Sequence, residues 1–378
     1  MQRIAILLTV LIVSTPAFAV TKMTVSAFDQ LLASRLAAHE SDIDTAQKIA
    51  SIELTERLTS ADVEAMKKTL RPGPQTQIAL EMQVDASAFL NPPISELPQK
   101  DPPSIAEQQA MLNGAVHFVA ATFQHLPDFL ADRLTSSFDD SPIVVTHSGW
   151  APPNGALHNA GTFKQEVTYR EGREVSVSNL SPSGKPQKDG PAPAGLNSSG
   201  EFGPVLATIL RDVSKGSIRW SHWEQESTGV VAVFQYLVPQ PASHYQVDYC
   251  CVRGTEDPKA YEDSKNLRLA NSYHGTPGYH GAIFLDPATG TIEKITLEAE
   301  LDPEAPIMNS QISVNYGSVT IGGQSYTCPV QSLAISDART RLGGDMSDRT
   351  IRRINEVTFT NYHRFGTSSR ILSEAPAQ

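Results

Sequence analysis

Hydrophobic positions along the chain keep a helical period over roughly the first third and then change to a period of two. Phe28, Leu31, Leu32 and Leu36 recur at helical spacing, as do Ala50, Leu54 and Leu58. Thr59-Ser60-Ala61-Asp62 has the form of a helix start, and Arg71-Pro72-Gly73-Pro74 that of a stop. Ala79, Met82, Ala86 and Phe89 or Leu90 mark a further apolar face. Beyond a Pro-rich linker over 91–103, Ser104-Ile105-Ala106-Glu107 is a capping box, in which Ser and Glu satisfy each other's backbone amides. Leu112, Ala115, Val116, Val119 and Phe123 then share one face, and a last helix is expected over Phe129, Leu130 and Leu134. Short breaks between such helices predict antiparallel helical hairpins packed as a small bundle or solenoid over 20–140.

From 141 to 372 the pattern is that of strands. Phe163, Gln165, Val167 and Tyr169 alternate, and Glu171-Gly172 supplies a hairpin turn. The Pro, Gly and Ser content of 181–203 predicts a long exposed loop, after which Pro204 opens a short helix through Leu210. Residues 229–238 are almost wholly apolar, as in a strand covered on both faces. Pro287-Ala288-Thr289-Gly290 makes a turn. The alternation that follows sets Ile295, Leu297, Ala299 and Leu301 against Lys294, Thr296, Glu298 and Glu300, one greasy face and one wet one. Ile312, Val314 and Tyr316 are expected to pair with Val319 and Ile321, and 356–364 form a final strand. The fold class expected is α+β: an N-terminal helical region, then a curved antiparallel sheet (an open half-barrel) with a short covering helix, and a disordered tail over 373–378.

The first residues change the picture by placing the chain. Arg3, an apolar run over 4–13 and the small-residue site Ala17-Phe18-Ala19 have the order of a secretory signal, cleaved to leave 20 onward. That run is shorter than the about 20 residues a membrane span requires, and no later stretch is a candidate span. The expected compartment is therefore periplasmic or extracellular. Formal net charge is −11, without the clusters of Lys and Arg that phosphate backbones demand, so nucleic acid is not an expected partner. In an oxidising compartment the three cysteines point to one disulfide. Adjacent strand residues face opposite ways, so Cys251, or Cys250 in its place, is expected to pair with Cys328, a closure worth about 4–5 kcal/mol on the chain-entropy view.

Three stretches carry a resemblance. Tyr169-Arg170-Glu171-Gly172-Arg173-Glu174, Gly281-Ala282-Ile283-Phe284-Leu285-Asp286-Pro287-Ala288-Thr289-Gly290-Thr291-Ile292 and Thr358-Phe359-Thr360-Asn361-Tyr362-His363-Arg364-Phe365 resemble the hairpin rhythm of periplasmic lipoprotein-carrier (LolA-like) proteins and their anti-sigma-regulator relatives. Gly200-Glu201-Phe202-Gly203-Pro204, Trp220-Ser221-His222-Trp223-Glu224, Ala232-Val233-Phe234 and Ser243-His244-Tyr245 resemble a group of exported bacterial envelope proteins of uncharacterised role. The carrier resemblance implies an open barrel of eleven-stranded type, with an apolar interior that shelters acyl chains. The helical N-terminal part and the 181–203 loop depart from that pattern.

Chemistry-bearing residues are few. His222 and Glu224, two apart, share a strand face as an acid–base pair or as a plain surface charge pair. His274 and His280 flank a Gly-Pro-rich loop, and with His222 and Glu224 they are the candidates for a metal, although the cysteines and histidines lack the spacing of a recognised ligand set. The zinc-protease, nucleophile-elbow and P-loop signatures are absent. No cofactor is expected. Trp220, Trp223, Val233, Ile295 and Leu297 are the candidates to face a ligand. The function expected is that of an exported, non-enzymatic binding protein that cups an apolar ligand or a lipidated partner. The alternatives are a scaffold whose helical region holds an envelope protein, and an envelope metal-dependent hydrolase.

Overall fold

The computed structural model describes residues 21–140, 157–180, 186–187, 195–196, 204–226, 228–250, 273–341 and 348–364. The signal segment, Cys251, most of the 181–203 stretch and the tail over 373–378 lie outside the described residues.

Six α-helices are present among the described residues: α1 Val25–Ala37, α2 Asp42–Ala50, α3 Ser60–Leu70, α4 Pro74–Ala86, α5 Ile105–Gln124 and α6 Pro204–Val213. Their ends follow local chemistry. Thr59 and Asp62 close a capping box on α3, as Ser104 and Glu107 do on α5. Arg71 stops α3 in the left-handed conformation. Gly73 offers no side chain to cap α4, and the cap comes from elsewhere: the Asp42 carboxylate accepts the Gln75 and Thr76 amides at 2.9 and 3.0 Å. Phe28, Leu32, Ile49, Leu58, Val63 and Leu80 fill the core of α1–α4.

Two expected helical stretches turn out otherwise. Ala50 ends α2, Leu54 lies in a short strand β2 (Ile52–Leu54) parallel to β1 (Thr21–Met23), and Leu58 is buried in the loop beyond. Their spacing matched a helix because the exposed end of α2, a buried strand residue and a buried loop residue happened to fall four apart. Phe129, Leu130 and Leu134 belong to strand β3 (Phe129–Asp139), not to a helix. Its buried side is Phe129, Ala131, Arg133, Thr135 and Ser137, so polar residues at three of those five positions hid the period of two.

The remaining strands are β4 His158–Arg170, β5 Arg173–Leu180, β6 Pro186–Gln187, β7 Gly195–Leu196, β8 Ser217–Glu226, β9 Gly229–Val238, β10 Val247–Cys250, β11 Tyr273–Gly275, β12 Gly278–Leu285, β13 Ile292–Glu300, β14 Ile307–Ile321, β15 Gln324–Arg341 and β16 Asp348–Arg364. Eleven of them form one antiparallel sheet in the order β6-β5-β4-β3-β16-β15-β14-β13-β12-β9-β8, which is not closed into a barrel. The 181–203 stretch is not wholly exposed loop: β7 pairs with β10 in a small second sheet, and Leu196 is buried.

The large sheet is covered on both faces at its β8–β14 end. On one face Phe234, Tyr236, Ile283, Ile295, Leu297 and Ile312 bury against Met111 and Ala115 of α5 and Leu206 and Ile209 of α6. On the other, Val231, Val233 and Phe284 form a separate cluster beneath the segment that holds Arg57. The Lys294, Thr296 and Glu298 side of β13, expected to be wet, thus lies partly under the α1–α4 region. The linker after Leu90 passes the β8 edge, where the Trp223 indole N–H donates to the Asp101 carbonyl at 2.8 Å, and delivers α5 to the opposite face. Such a wrap also shields an edge strand from pairing with other chains.

Candidate functional site

The apolar face and the polar face of the β8–β14 end place the sequence candidates differently. Ile295 and Leu297 lie fully buried on the apolar face, in one cluster with α5 and α6. Val233 lies on the other face, because register pairs it with Phe284 and Phe284 with Lys294. A β-bulge between Trp220 and His222 lets Trp220 and Trp223 share the apolar side, ring centroids 4.8 Å apart, while His222 and Glu224 turn to the polar side. The two tryptophans serve as a fastening: Trp223 receives the Lys100 ammonium 3.7 Å above its ring and holds Asp101 by hydrogen bond.

Helix α5 lies lightly on the apolar face. Among its described side chains it fully buries only two apolar ones, Met111 and Ala115, with Leu112, Phe118 and Val119 partly covered and Val116 56 % exposed. Phe123 lies in α5, but its side chain is outside the described set. The helix crosses the β12–β13 turn where Gly114 meets Gly290: a Cβ on Gly290 would come 2.5 Å from the Gly114 carbonyl carbon. Gly290 also has a φ of 71°, which favours glycine.

Helix α6 is held more firmly. Asp212, at its C-terminal end and buried, accepts from the His244 amide and ring nitrogen at 2.7 Å each, from Tyr279 at 3.1 Å and from Arg211 at 3.2 Å. Burial pushes the Asp212 carboxyl up, but these donors outweigh it and hold the group below the usual carboxylate range. Burial and the neighbouring Asp212 together push Tyr279 far above a normal phenol.

The polar face carries a cleft of about 550 Å³ between the sheet and the 88–91 stretch. At its inner end the buried Arg57 guanidinium forms an ion pair with Glu224, and His222 Nε2 lies 3.1 Å from the other Glu224 oxygen. His222 Nδ1 faces Ser221 Oγ at 2.9 Å. Burial pushes Glu224 up, yet His222, Arg57 and Lys294 prevail and keep its carboxyl low. Glu226, half-buried and with Glu224 as neighbour, is raised, Lys294 and Arg57 only partly offsetting this. Lys294 is driven down to about 8 by burial and by Arg57, against the pull of Glu226 and Glu224. At the same interface, burial and a hydrogen bond with Glu356 raise Asp85 well above an ordinary aspartate.

His280 lines the outer part of this cleft, 3.7 Å from Glu298 and 3.6 Å from Glu300. His274 is elsewhere, in β11 of the small sheet, 2.6 Å from Asp248. The four metal candidates therefore divide into three separate pairings, and among the described residues no group of three or more His, Cys, Asp or Glu side chains is placed to hold a metal. Cys328 is buried, its thiol raised to about 12 by burial, packed with Phe129, Val167 and Phe359 and without a disulfide partner among the described residues. Cys250 pairs through its backbone with Gly195 at the end of β10; the pairing of Cys251 with Cys328 falls outside the described residues.

Sequence reasoning missed Arg57, Lys294, Asp212 and the Gly114–Gly290 contact. Arg57 and Glu224 stand 167 positions apart, with no local signal linking them. Asp286-Pro287-Ala288-Thr289-Gly290 did announce a turn, though not that a helix would rest on it. Among the described residues no helix is long and apolar enough to cross a membrane. No family model matches the sequence, and no curated protein does. A LolA superfamily protein from Nitrosomonas europaea, known from a crystal structure, is similar over 70% of this chain and 97% of its own, at 10% identity and a TM-score of 0.25. That likeness is too slight to carry a function across.

Proposed function

We propose that this chain is a binding protein of the bacterial envelope that takes an apolar, acyl-type ligand against the greasy face of its open sheet, with α5 as the cover that yields. The observation that supports this is the packing of α5: a 20-residue helix over the largest apolar cluster that, among its described side chains, commits only Met111 and Ala115 fully to it. Lifting such a helix exposes Ile283, Ile295, Leu297 and their neighbours while leaving the strand ladder intact. An acyl chain lying there replaces the contacts α5 gives up, at about 0.8 kcal/mol per buried methylene. The Trp220–Trp223 pair and the Gly114–Gly290 contact act as the hinge side, and α6, fixed through Asp212, as the static wall. His222, Glu224 and Arg57 hold the α1–α4 region to the reverse face and take no part in ligand capture.

The test is titration of the delipidated full chain with a fluorescent fatty acid. Saturable one-to-one binding is expected, weakened at least tenfold by Leu112→Asp, which places a charge on the covering side of α5, about 1.4 kcal/mol by the affinity scale. A delipidated chain that shows no saturable binding contradicts the proposal.

A further inference from the structure

Away from both faces of the sheet, the α1–α4 region carries a groove of its own, about 680 Å³, between α1, α3 and the turn Ile94–Glu96. Its floor is apolar: Val25, Met66 and Leu70. Its lip is Ile94, 81 % exposed, a large aliphatic side chain held out in water by a turn. Four carboxylates surround that floor, from Asp29, Glu56, Asp62 and Glu96, and no Lys, Arg or His lines the groove among the described residues. Two of them are engaged locally, Glu56 by the Val25 amide at 3.1 Å and Asp62 by the Thr59 amide at 2.9 Å. Asp29 and Glu96 have no ion pair among the described residues. Partial burial and the neighbouring Asp62 raise the Glu96 carboxyl, with Glu56 adding to this and the Arg57 guanidinium, which does not line the groove, only partly offsetting it.

We propose that this groove docks a basic amphipathic helix of a partner protein, its apolar stripe on Met66, Leu70 and Ile94 and its Lys or Arg side chains on Asp29 and Glu96. The shape fits a helix because the walls are themselves helices: Asp62, Met66 and Leu70 repeat every four residues along α3, and Val25 and Asp29 repeat likewise on α1. The sign of the rim fixes the partner's charge, and an acidic or uncharged helix leaves Asp29 and Glu96 facing it without a counter-charge. This docking is independent of any ligand on the sheet, since the groove shares no residue with α5, α6 or the sheet.

The probe is a Lys/Leu amphipathic peptide of about 18 residues, long enough to form a helix on binding, titrated by fluorescence anisotropy into the full chain. Saturable one-to-one binding is expected, reduced about tenfold by the pair Asp29→Asn and Glu96→Gln and by Ile94→Ser alone, and unchanged by Asp302→Asn with Glu304→Gln at the distant β13–β14 connection. All three changed groove residues are exposed, so retained thermal melting verifies that the variants fold. Equal loss from the distant pair, equal binding of a Glu/Leu peptide, or no saturable binding overturns the proposal. So does a dimer in light scattering that Ile94→Ser dissolves, which assigns the groove to a second copy of this chain.

Discussion

Arg57 and Glu224 carry opposite charges into a nearly dry contact, with 9% and 6% of their side-chain surface left exposed. Removing one partner of such a pair leaves the other buried and uncompensated, at about 3–5 kcal/mol. Arg57→Ala is expected to lower unfolding stability by that amount in urea, and Arg57→Met combined with Glu224→Leu to recover most of it; a single-variant loss under about 1 kcal/mol contradicts the account of this contact. Lys294 beside them gives a pH signature. Its folded pKa of about 8 lies below the 10.5 of the free side chain. Between those values the unfolded chain holds a proton that the folded chain has released, so folding gains as pH rises. Wild-type stability relative to Lys294→Met should therefore climb from pH 8 to 10.5 and be flat and least favourable below 8, read from urea midpoints across that range. A difference independent of pH would mean that Lys294 remains fully charged and compensated.

At the scale of elements, the helix ends were legible because capping is local chemistry: Thr59 with Asp62 and Ser104 with Glu107 are three residues apart and declare themselves. The alternation in β13 was legible for a similar reason, since Ile295 and Leu297 share a face whatever lies above them. Strand β3 was not legible. Arg133, Thr135 and Ser137 are buried but polar, so the inward face is invisible to hydropathy and only the neighbouring strands β16 and β4 define it. The face shared by Val233 and Phe284 was misjoined to Ile295 because parity across strands depends on register, which no single strand reveals. Gly290 ties α5 to the sheet, and Gly290→Ala both strains a φ of 71° and drives a methyl into Gly114. The expected result is loosening of α5 alone: faster proteolysis within 105–124 and increased binding of a hydrophobic dye, with the β-sheet circular dichroism retained. Unchanged proteolysis would show that α5 does not depend on this contact.

For the whole molecule, one open sheet serves as a partition. The linker around the β8 edge places α1–α4 on one side and α5 on the other, so a segment contiguous in sequence grips both faces. The two grips differ in kind. The α1–α4 side is held by buried charge, through Arg57, Glu224 and Lys294, which breaks only at high cost. The α5 side is held by a small apolar contact and two tryptophans, the contact that the proposed acyl ligand would have to replace. Sequence periodicity located α1, α3, α4 and α5 and strands such as β4, β9 and β13, but not α2 or β3. It also split the single strand β14, which holds Ile312 to Ile321, into a pair. The asymmetry itself arises from contacts between residues more than a hundred positions apart, such as Asp101 with Trp223. Hydrogen exchange of the full chain, read by mass spectrometry with and without a saturating long-chain fatty acid, addresses it most directly. The account predicts a ligand-dependent change concentrated in 105–124 and in the β12–β13 turn, with α1–α4 unaltered. A change confined to α1–α4, or none anywhere, contradicts it.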